Sequence, residues 1–339
     1  MTSRHSLFGP LEDVAADAGH TGHPPRVGFF TDTSVCIGCK ACEVACKEWN
    51  LVPDDGLNVL GMSFDNTGML GADSWRHVAF VEQDLPLGGQ DAGLSGLPTG
   101  PSGSGEQAEA AAAGVRGTER GGGELGTGPV DLGMPALQRP GDATGAETRT
   151  DFRWLMMSDV CKHCTHAGCL DVCPTGALFR TEFGTVVVQQ DICNGCGYCV
   201  SGCPFGVIDR RHGDGRAQKC TLCYDRLRDG MEPACAKACP TDSIQFGPLD
   251  ELRERARLRV ERLRADGVTE ARLYGDDPDD GIGGAGAFFL LLDDPEVYGL
   301  PPDPVVPTRD LGAMWKYAAI AAGALAAAAV SAFTGGRER

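Results

Sequence analysis

CKHCTHAGCLDVCP at residues 161–174 and CNGCGYCVSGCPFGV at 193–207 decide the reading of this chain. Each packs four cysteines into a short run that ends in Cys-Pro, at Pro174 and Pro204. Two further groups lie on either side. Cys36, Cys39, Cys42 and Cys46 stand upstream, and Cys220, Cys223, Cys235 and Cys239 stand downstream, the last followed by Pro240. All 16 cysteines of the 339-residue chain fall in these groups. A disulfide scaffold would scatter them in pairs, whereas bunching in fours points to metal.

Groups one and three share the spacing C-x2-C-x2-C-x3-C; group two (Cys161, Cys164, Cys169, Cys173) is widened by two residues, and group four carries eleven residues between its halves. In this pattern three cysteines of a tight loop reach three irons of one cubane, while the fourth, at the start of a helix, points to a neighbouring cluster. Groups therefore work in pairs. Groups two and three lie a hairpin apart, as in a two-cluster ferredoxin, so Cys161, Cys164 and Cys169 are expected to join Cys203, and Cys193, Cys196 and Cys199 to join Cys173. By the same logic Cys36, Cys39 and Cys42 join Cys239, and Cys220, Cys223 and Cys235 join Cys46. The expected cofactors are four 4Fe-4S clusters with these sixteen cysteines as iron ligands. The expected fold class is α+β, one two-cluster ferredoxin-like domain nested inside another in tandem, with a C-terminal transmembrane helix. The proline after the last cysteine fixes the backbone and removes an N–H; group one departs from this with Cys46-Lys47. The competing reading is a set of zinc sites, but these use two separated pairs and need neither the third cysteine nor the Cys-Pro.

The formal net charge of −17 and pI near 4.8 argue against a nucleic-acid partner, which needs clustered Lys and Arg. The stretch 203–228 runs the other way, with Arg210, Arg211, Arg216, Lys219, Arg226 and Arg228 among the cysteines. Two readings stay open: cations that stabilise an anionic cluster in its reduced form, or a solvated basic face. Residues 1–30 show no apolar leader core and no twin arginine, so export is expected by another route.

Residues 1–25 read as a polar tail. Arg26 to Val35 reads as a strand entering group one, and Trp75 to Val81 as a second; with group four these form the outer half-domains, 26–83 and 215–247. Residues 84–150, rich in Gly, Ala, Pro, Ser and Glu, read as a flexible low-complexity insertion. The inner domain spans 151–214, with a hairpin from Ala177–Phe179 and Thr185–Val188 about Phe183 and Gly184. In the extension 248–307, Pro248 opens a helix whose Leu249, Leu252, Ala256, Val260 and Leu263 recur at helical spacing, followed by an apolar strand at Ala287–Leu292.

Gly281, Gly283 and Gly286 match G-x-G-x-x-G, but a strand follows where a dinucleotide loop needs a helix. His163 and His166, inside group two, could donate to a cluster sulfur; a packing role is the favoured reading. No C-x-x-C-H haem motif and no Ser, His and carboxylate set stands out, so no catalytic residue is assigned. Tyr317 to Phe333 holds only apolar or small residues; Met314 and Trp315 lengthen it, and Trp315 and Tyr317 suit a membrane interface. A single anchor at 314–334 is expected, against the alternative of an Ala-rich helix buried on a partner protein. Arg309 and Lys316 on one side and Arg337 and Arg339 on the other leave its orientation open.

The stretches SVCIGCKACEVACKEWN (34–50), the block 161–207, KCTLCYDRLRDGMEPACAKACPTDSIQFG (219–247) and the tail 273–301 with PEVYGLP resemble the iron-sulfur (beta) subunit of respiratory formate dehydrogenase. The resemblance spans the chain except the N-terminal tail and the insertion. It implies a non-catalytic electron-transfer subunit of a heteromeric complex: a large subunit with a molybdenum or tungsten pterin oxidises formate, this chain relays the electrons, and a membrane cytochrome b subunit reduces quinone. It also implies export of the folded chain with a twin-arginine-bearing partner, and a soluble part on the extracytoplasmic face. The iron-sulfur subunit of another pterin oxidoreductase or of a hydrogenase remains the alternative within the class, and a zinc-stapled interaction protein the alternative outside it.

Overall fold

The run VGFFTD alternates its side chains across a strand, so Phe29 and Phe30 face opposite ways, and that alternation organises the molecule. The computed structural model describes residues 11, 13–56, 65, 67–83 and 153–335; the expected insertion at 84–150 lies outside them. In chain order the elements are β1 (Val27–Asp32), a 3-10 turn (Thr33–Val35), α1 (Ala41–Asn50), β2 (Arg76–Gln83), β3 (Arg153–Val160), α2 (Gly168–Asp171), β4 (Leu178–Arg180) and β5 (Val186–Val188). There follow α3 (Tyr198–Ser201), β6 (Asp209–Arg210), β7 (Ala217–Gln218), α4 (Tyr224–Arg228), α5 (Ala234–Lys237), β8 (Ile244–Pro248), α6 (Leu249–Ala265), β9 (Arg272–Tyr274), β10 (Ala287–Leu291), a 3-10 turn (Pro295–Tyr298) and α7 (Leu311–Gly335).

Four strands form a sheet in the order β8-β1-β10-β9, with β1 and β10 parallel and the outer pairs antiparallel. All five residues of β10 are buried, as a strand covered on both faces requires. One face carries Phe30, Phe288 and Leu290 against Leu249, Leu252, Ala256, Val260 and Leu263 of α6. Those five helix residues are the ones the periodicity places inward. The opposite face carries Phe29, Phe289 and Leu291 against Cys42, Cys46, Cys220 and Cys235. The sheet is thus a partition with α6 on one side and the cysteine layer on the other.

Because β1 leads into group one and β8 leaves group four, their antiparallel pairing brings these sequence-distant groups together. Helix α1 then packs on α5, and α2 packs on α3. The second contact needs small residues: a Cβ on Gly168 would sit 2.5 Å from the carbonyl oxygen of Gly202. The hairpin β4–β5 forms at 178–188 with Gly184 at φ +73°, the left-handed region its turn requires. The hairpin β2–β3 runs in register from Arg76 opposite Val160 to Gln83 opposite Arg153.

Residues 13–25, read from sequence as part of a polar tail, touch the rest of the chain. Val14 and Ala15 are buried, and His20 Nε2 lies 2.9 Å from the carbonyl oxygen of Arg180. A two-residue apolar patch and one ring nitrogen are too little for periodicity to register. At the other end α7 spans 25 residues, about 37 Å at 1.5 Å per residue, which exceeds the seventeen-residue apolar core read from sequence. Leu311–Thr334 is long and apolar enough to cross a membrane, with mean hydropathy 1.7 and no part of it buried in the chain. It is the one such helix among the described residues.

Candidate iron-sulfur centres

Each group opens with C-x2-C, and the residue before the second cysteine is left-handed in all four: Gly38 (φ +65°), His163 (+44°), Gly195 (+72°) and Leu222 (+56°). This conformation turns the loop so that successive thiols point to one side. Groups one and three meet it with glycine, and there no Cβ is sterically possible: it would lie 2.7 Å from the Phe80 ring at Gly38 and 2.5 Å from the Gly215 oxygen at Gly195. Groups two and four hold a side chain in the same strained state, which the surrounding packing must maintain.

The loops bring the sixteen thiols together as four rings. Ring A consists of Cys36, Cys39, Cys42 and Cys239, which line one cavity with Ser158 and Ser243. Ring B gathers Cys46 with Cys220, Cys223 and Cys235, all four buried. Asn50 bridges it, its Nδ2 lying 3.8 Å from Cys46 Sγ and 3.7 Å from Cys223 Sγ. Ring C consists of Cys161, Cys164, Cys169 and Cys203 around a second cavity, shared with His163, Phe205 and Lys219. In ring D, Cys199 lies within electrostatic range of Cys193, Cys173 and Cys196. Each ring thus draws three thiols from one group and one from another.

The rings adjoin one another in the order A, B, C, D. Arg76 lies within electrostatic range of Cys42 of ring A and of Cys235, Cys220 and Cys46 of ring B. Cys220 of ring B neighbours Cys161 of ring C, and Cys169 of ring C neighbours Cys199 of ring D. Exposed cysteines occur only at the two ends, Cys39 in ring A and Cys196 in ring D.

Burial, followed by repulsion from the sulfurs around it, pushes the Cys220 thiol up to about 12 and the Cys199 thiol up to about 11. Burial likewise raises Cys46 and Cys164 well above the usual thiol range. At Cys173 partial burial acts the same way, but hydrogen bonds from the Leu178, Thr175 and Ala177 backbone and the Thr175 side chain outweigh it, and that thiol is lowered. The raised thiols become thiolates only when a positive centre replaces the protons. Among the described residues no three His, Cys, Asp or Glu converge on one point as a single metal ion demands; the thiols of rings A and C surround cavities instead. Four cysteines about a cavity, with cations and N–H donors beside them, fit a 4Fe-4S cube better than a tetrahedral zinc ion.

The basic stretch divides. Lys219 is 1% exposed, with Nζ 3.6 Å from Cys161 Sγ and 2.9 Å from the Cys220 oxygen it donates to. Burial opposes its charge, yet Cys161, Cys169 and Cys220 raise its pKa above the ordinary value. The others belong to the surface: Arg210, Arg216 and Arg228 are exposed, Arg211 pairs with Asp73 at 2.8 Å, and Arg226 lies over the Trp49 ring at 4.2 Å. Both readings of the stretch therefore apply, to different residues.

His163 is buried, and burial, then the charges of Lys219, Arg26 and Arg180, hold it well below the usual imidazole range. Its Nδ1 accepts the Val186 N–H at 3.1 Å, so the neutral ring carries its proton on Nε2. That Nε2 has no partner among the described residues, and the side chain lines the ring C cavity. The glycine loop 281–286 braces the same turn. Thr165 and His166 donate backbone N–H bonds to Gly284 and Ile282, and Gly286 donates to His163. A Cβ at Gly283 would meet the His166 ring at 2.2 Å, so this G-x-G-x-x-G is spent on close packing rather than on a phosphate. Arg76, Ser158 and Asn50 escaped the sequence reading; an arginine inside a strand pattern reads as solvent-facing, and no motif marks the others.

A family model described as a 4Fe-4S dicluster domain matches residues 152–249, which hold groups two, three and four. The nitrate-inducible formate dehydrogenase iron-sulfur subunit of Escherichia coli (strain K12) is 35% identical over 295 residues, 86% of this chain and 77% of that one. The formate dehydrogenase iron-sulfur subunit of Haemophilus influenzae is 34% identical over 320 residues, 91% of this chain and 80% of that one. The B subunit of the anaerobic dimethyl sulfoxide reductase of Escherichia coli is 28% identical over 231 residues, 68% of this chain and 77% of that one. With its thiols ringed for 4Fe-4S clusters and this identity sustained over most of its length, the chain belongs to the family of formate dehydrogenase iron-sulfur subunits.

Proposed function

We propose that this chain relays electrons from a molybdopterin or tungstopterin catalytic subunit that oxidises formate to a membrane cytochrome b subunit that reduces quinone. The observation that carries this reading is the succession of rings A, B, C and D, with ring B wholly buried and the two fully exposed cysteines, Cys39 and Cys196, in the terminal rings A and D. A buried relay with accessible ends lets electrons enter and leave while water is kept from the centre. The clusters, when bound, supply one-electron storage at each step. The chain's own part is to fix their order, screen them and place charges and N–H donors beside them, Lys219 and His163 Nε2 at ring C among these.

The ligand sets we propose are those of the rings: Cys36, Cys39, Cys42 and Cys239; Cys46, Cys220, Cys223 and Cys235; Cys161, Cys164, Cys169 and Cys203; Cys173, Cys193, Cys196 and Cys199. Two ferredoxin-like units nested in one another account for the parallel contacts of α1 with α5 and of α2 with α3. Ring D is the exit. Thr308, three residues before α7, donates to Asp171 Oδ2 at 2.6 Å, which ties the membrane-helix end of the protein to α2, two residues before Cys173 of ring D. The soluble part is placed on the extracytoplasmic face, exported folded with its catalytic partner; labelling that reached it only after cell lysis would overturn that placement.

Anaerobic purification of the intact assembly, with identification of its large subunit and assay of formate-dependent quinone reduction, tests the whole reading. A brown preparation containing iron and acid-labile sulfide and oxidising formate is expected. Zinc without sulfide would end the electron-transfer reading. A large subunit acting on another substrate would favour the dimethyl sulfoxide reductase-type alternative, which the weaker similarity to that enzyme's B subunit keeps in view.

A further inference from the structure

Strand β2 begins with a residue that a strand pattern would leave in water. Arg76 is instead 2% exposed, and its guanidinium lies 4.9 Å from the centre of the buried Phe29 ring. No carboxylate pairs with it among the described residues, and its Nε and Nη2 have no hydrogen-bond partner there. Nη1 donates to the Ser158 backbone oxygen at 3.3 Å and to Ser158 Oγ at 2.9 Å. Ser158 Oγ in turn lies 3.1 Å from Cys42 Sγ. A guanidinium can only donate, so Ser158 accepts from Arg76 and turns its own hydrogen toward the Cys42 sulfur.

A cation taken out of water is unfavourable unless opposite charge meets it. Here the groups of opposite sign that bear on it are sulfurs from two different rings: Cys235, Cys220 and Cys46 of ring B, and Cys42 of ring A. Arginine also keeps its charge at any physiological pH, so it acts as a fixed charge and not as a switch.

We propose that Arg76 is a counter-charge shared by the clusters of rings A and B, which raises both reduction potentials together, its link to ring A running through Ser158 to Cys42. The sign follows from charge. Reduction adds an electron and makes the cluster more negative, so a fixed positive group nearby stabilises the reduced form. A charge common to two neighbours shifts both potentials in the same direction and leaves the difference between them little changed.

The inference rests on the ligand sets proposed above, and its test separates the two. The cluster-loaded full chain, purified anaerobically with the subunits that accompany it, is titrated potentiometrically and followed by electron paramagnetic resonance. C239S and C46S first assign the signals of rings A and B; if either variant alters a different signal, the ligand sets fail. With the signals assigned, R76Q is expected to move both midpoints to lower potential and leave rings C and D in place, S158A to lower ring A alone, and R76K to hold both near the native values. Unmoved midpoints in R76Q, or movement of only one, overturn the shared charge, as does an equal fall in R76K. Should R76Q take up less iron than the native chain, R76K and S158A still decide: a fall of both midpoints in S158A, or no fall in ring A, breaks the proposed link.

Discussion

Rings B and D use the same four-cysteine logic and reach opposite outcomes. Ring B has all four thiols buried, lies on the sheet face carrying Phe29 and Phe289, and borders Arg76 and Lys219. Ring D is built on the smaller cluster of Leu178, Val186, Val188, Ile208 and Ala217, and its Cys196 is exposed. The difference teaches that the thiols fix where a cluster sits, whereas the packing around them fixes whether it is an internal relay or a terminal.

The largest effect should come from breaking the middle. C220S, in ring B, is expected to abolish formate-dependent quinone reduction while formate-dependent reduction of a soluble dye by the catalytic partner persists; retention of quinone reduction would show that electrons bypass ring B. Next in size is the fate of a single cluster. C203S should remove the resonance of ring C and spare that of ring D, although Cys203 is contiguous in sequence with Cys193, Cys196 and Cys199. Loss of the ring D signal instead would show that groups do not exchange their fourth cysteine.

The support beneath the central ring is testable as stability. Phe289 is fully buried against the cysteine layer, so F289A should cost about 3–5 kcal/mol, read as a lower midpoint in thermal unfolding of the loaded chain. Metal loading should also depend on pH with a definite sign. The thiols of Cys220 and Cys199 are raised to about 12 and about 11, so they are protonated at neutral pH in the metal-free chain and must release protons on binding. Iron and sulfide uptake by the stripped chain should therefore rise as the solution is taken from neutral to mildly alkaline, and a flat or falling profile would contradict the raised thiols. The smallest effect belongs to the rim: Arg210 is exposed, with Nη1 3.3 Å from the Gly195 oxygen, so R210Q should move the ring D midpoint only slightly, far less than K219M moves ring C.

Sequence carried much of this. Cysteine spacing is a local property set by loop geometry, so the four groups could be read without coordinates, while the partner of each fourth cysteine belongs to the ligand sets proposed above. The α6 face and the 178–188 hairpin were legible for the same reason, since 3.6- and 2-residue periods are local. What stayed hidden is long-range. The pairing of β1 with β10 joins residues far apart in the chain, and only that contact reveals 281–286 as a brace for group two. Arg76 was hidden because burial of a charge is decided by sulfurs from distant segments, which no window of sequence contains.

The register of β2 and β3 has one more consequence. Gln83 and Arg153 face each other at the open end of that ladder, where Arg153 Nε donates to Gln83 Oε1 at 2.7 Å and both side chains reach Asp293. The polypeptide departs and comes back through one gate, already clasped. Since closing a longer loop adds only about 0.6 kcal/mol per doubling of length, the clasp at this end depends only weakly on how many residues join the two strands.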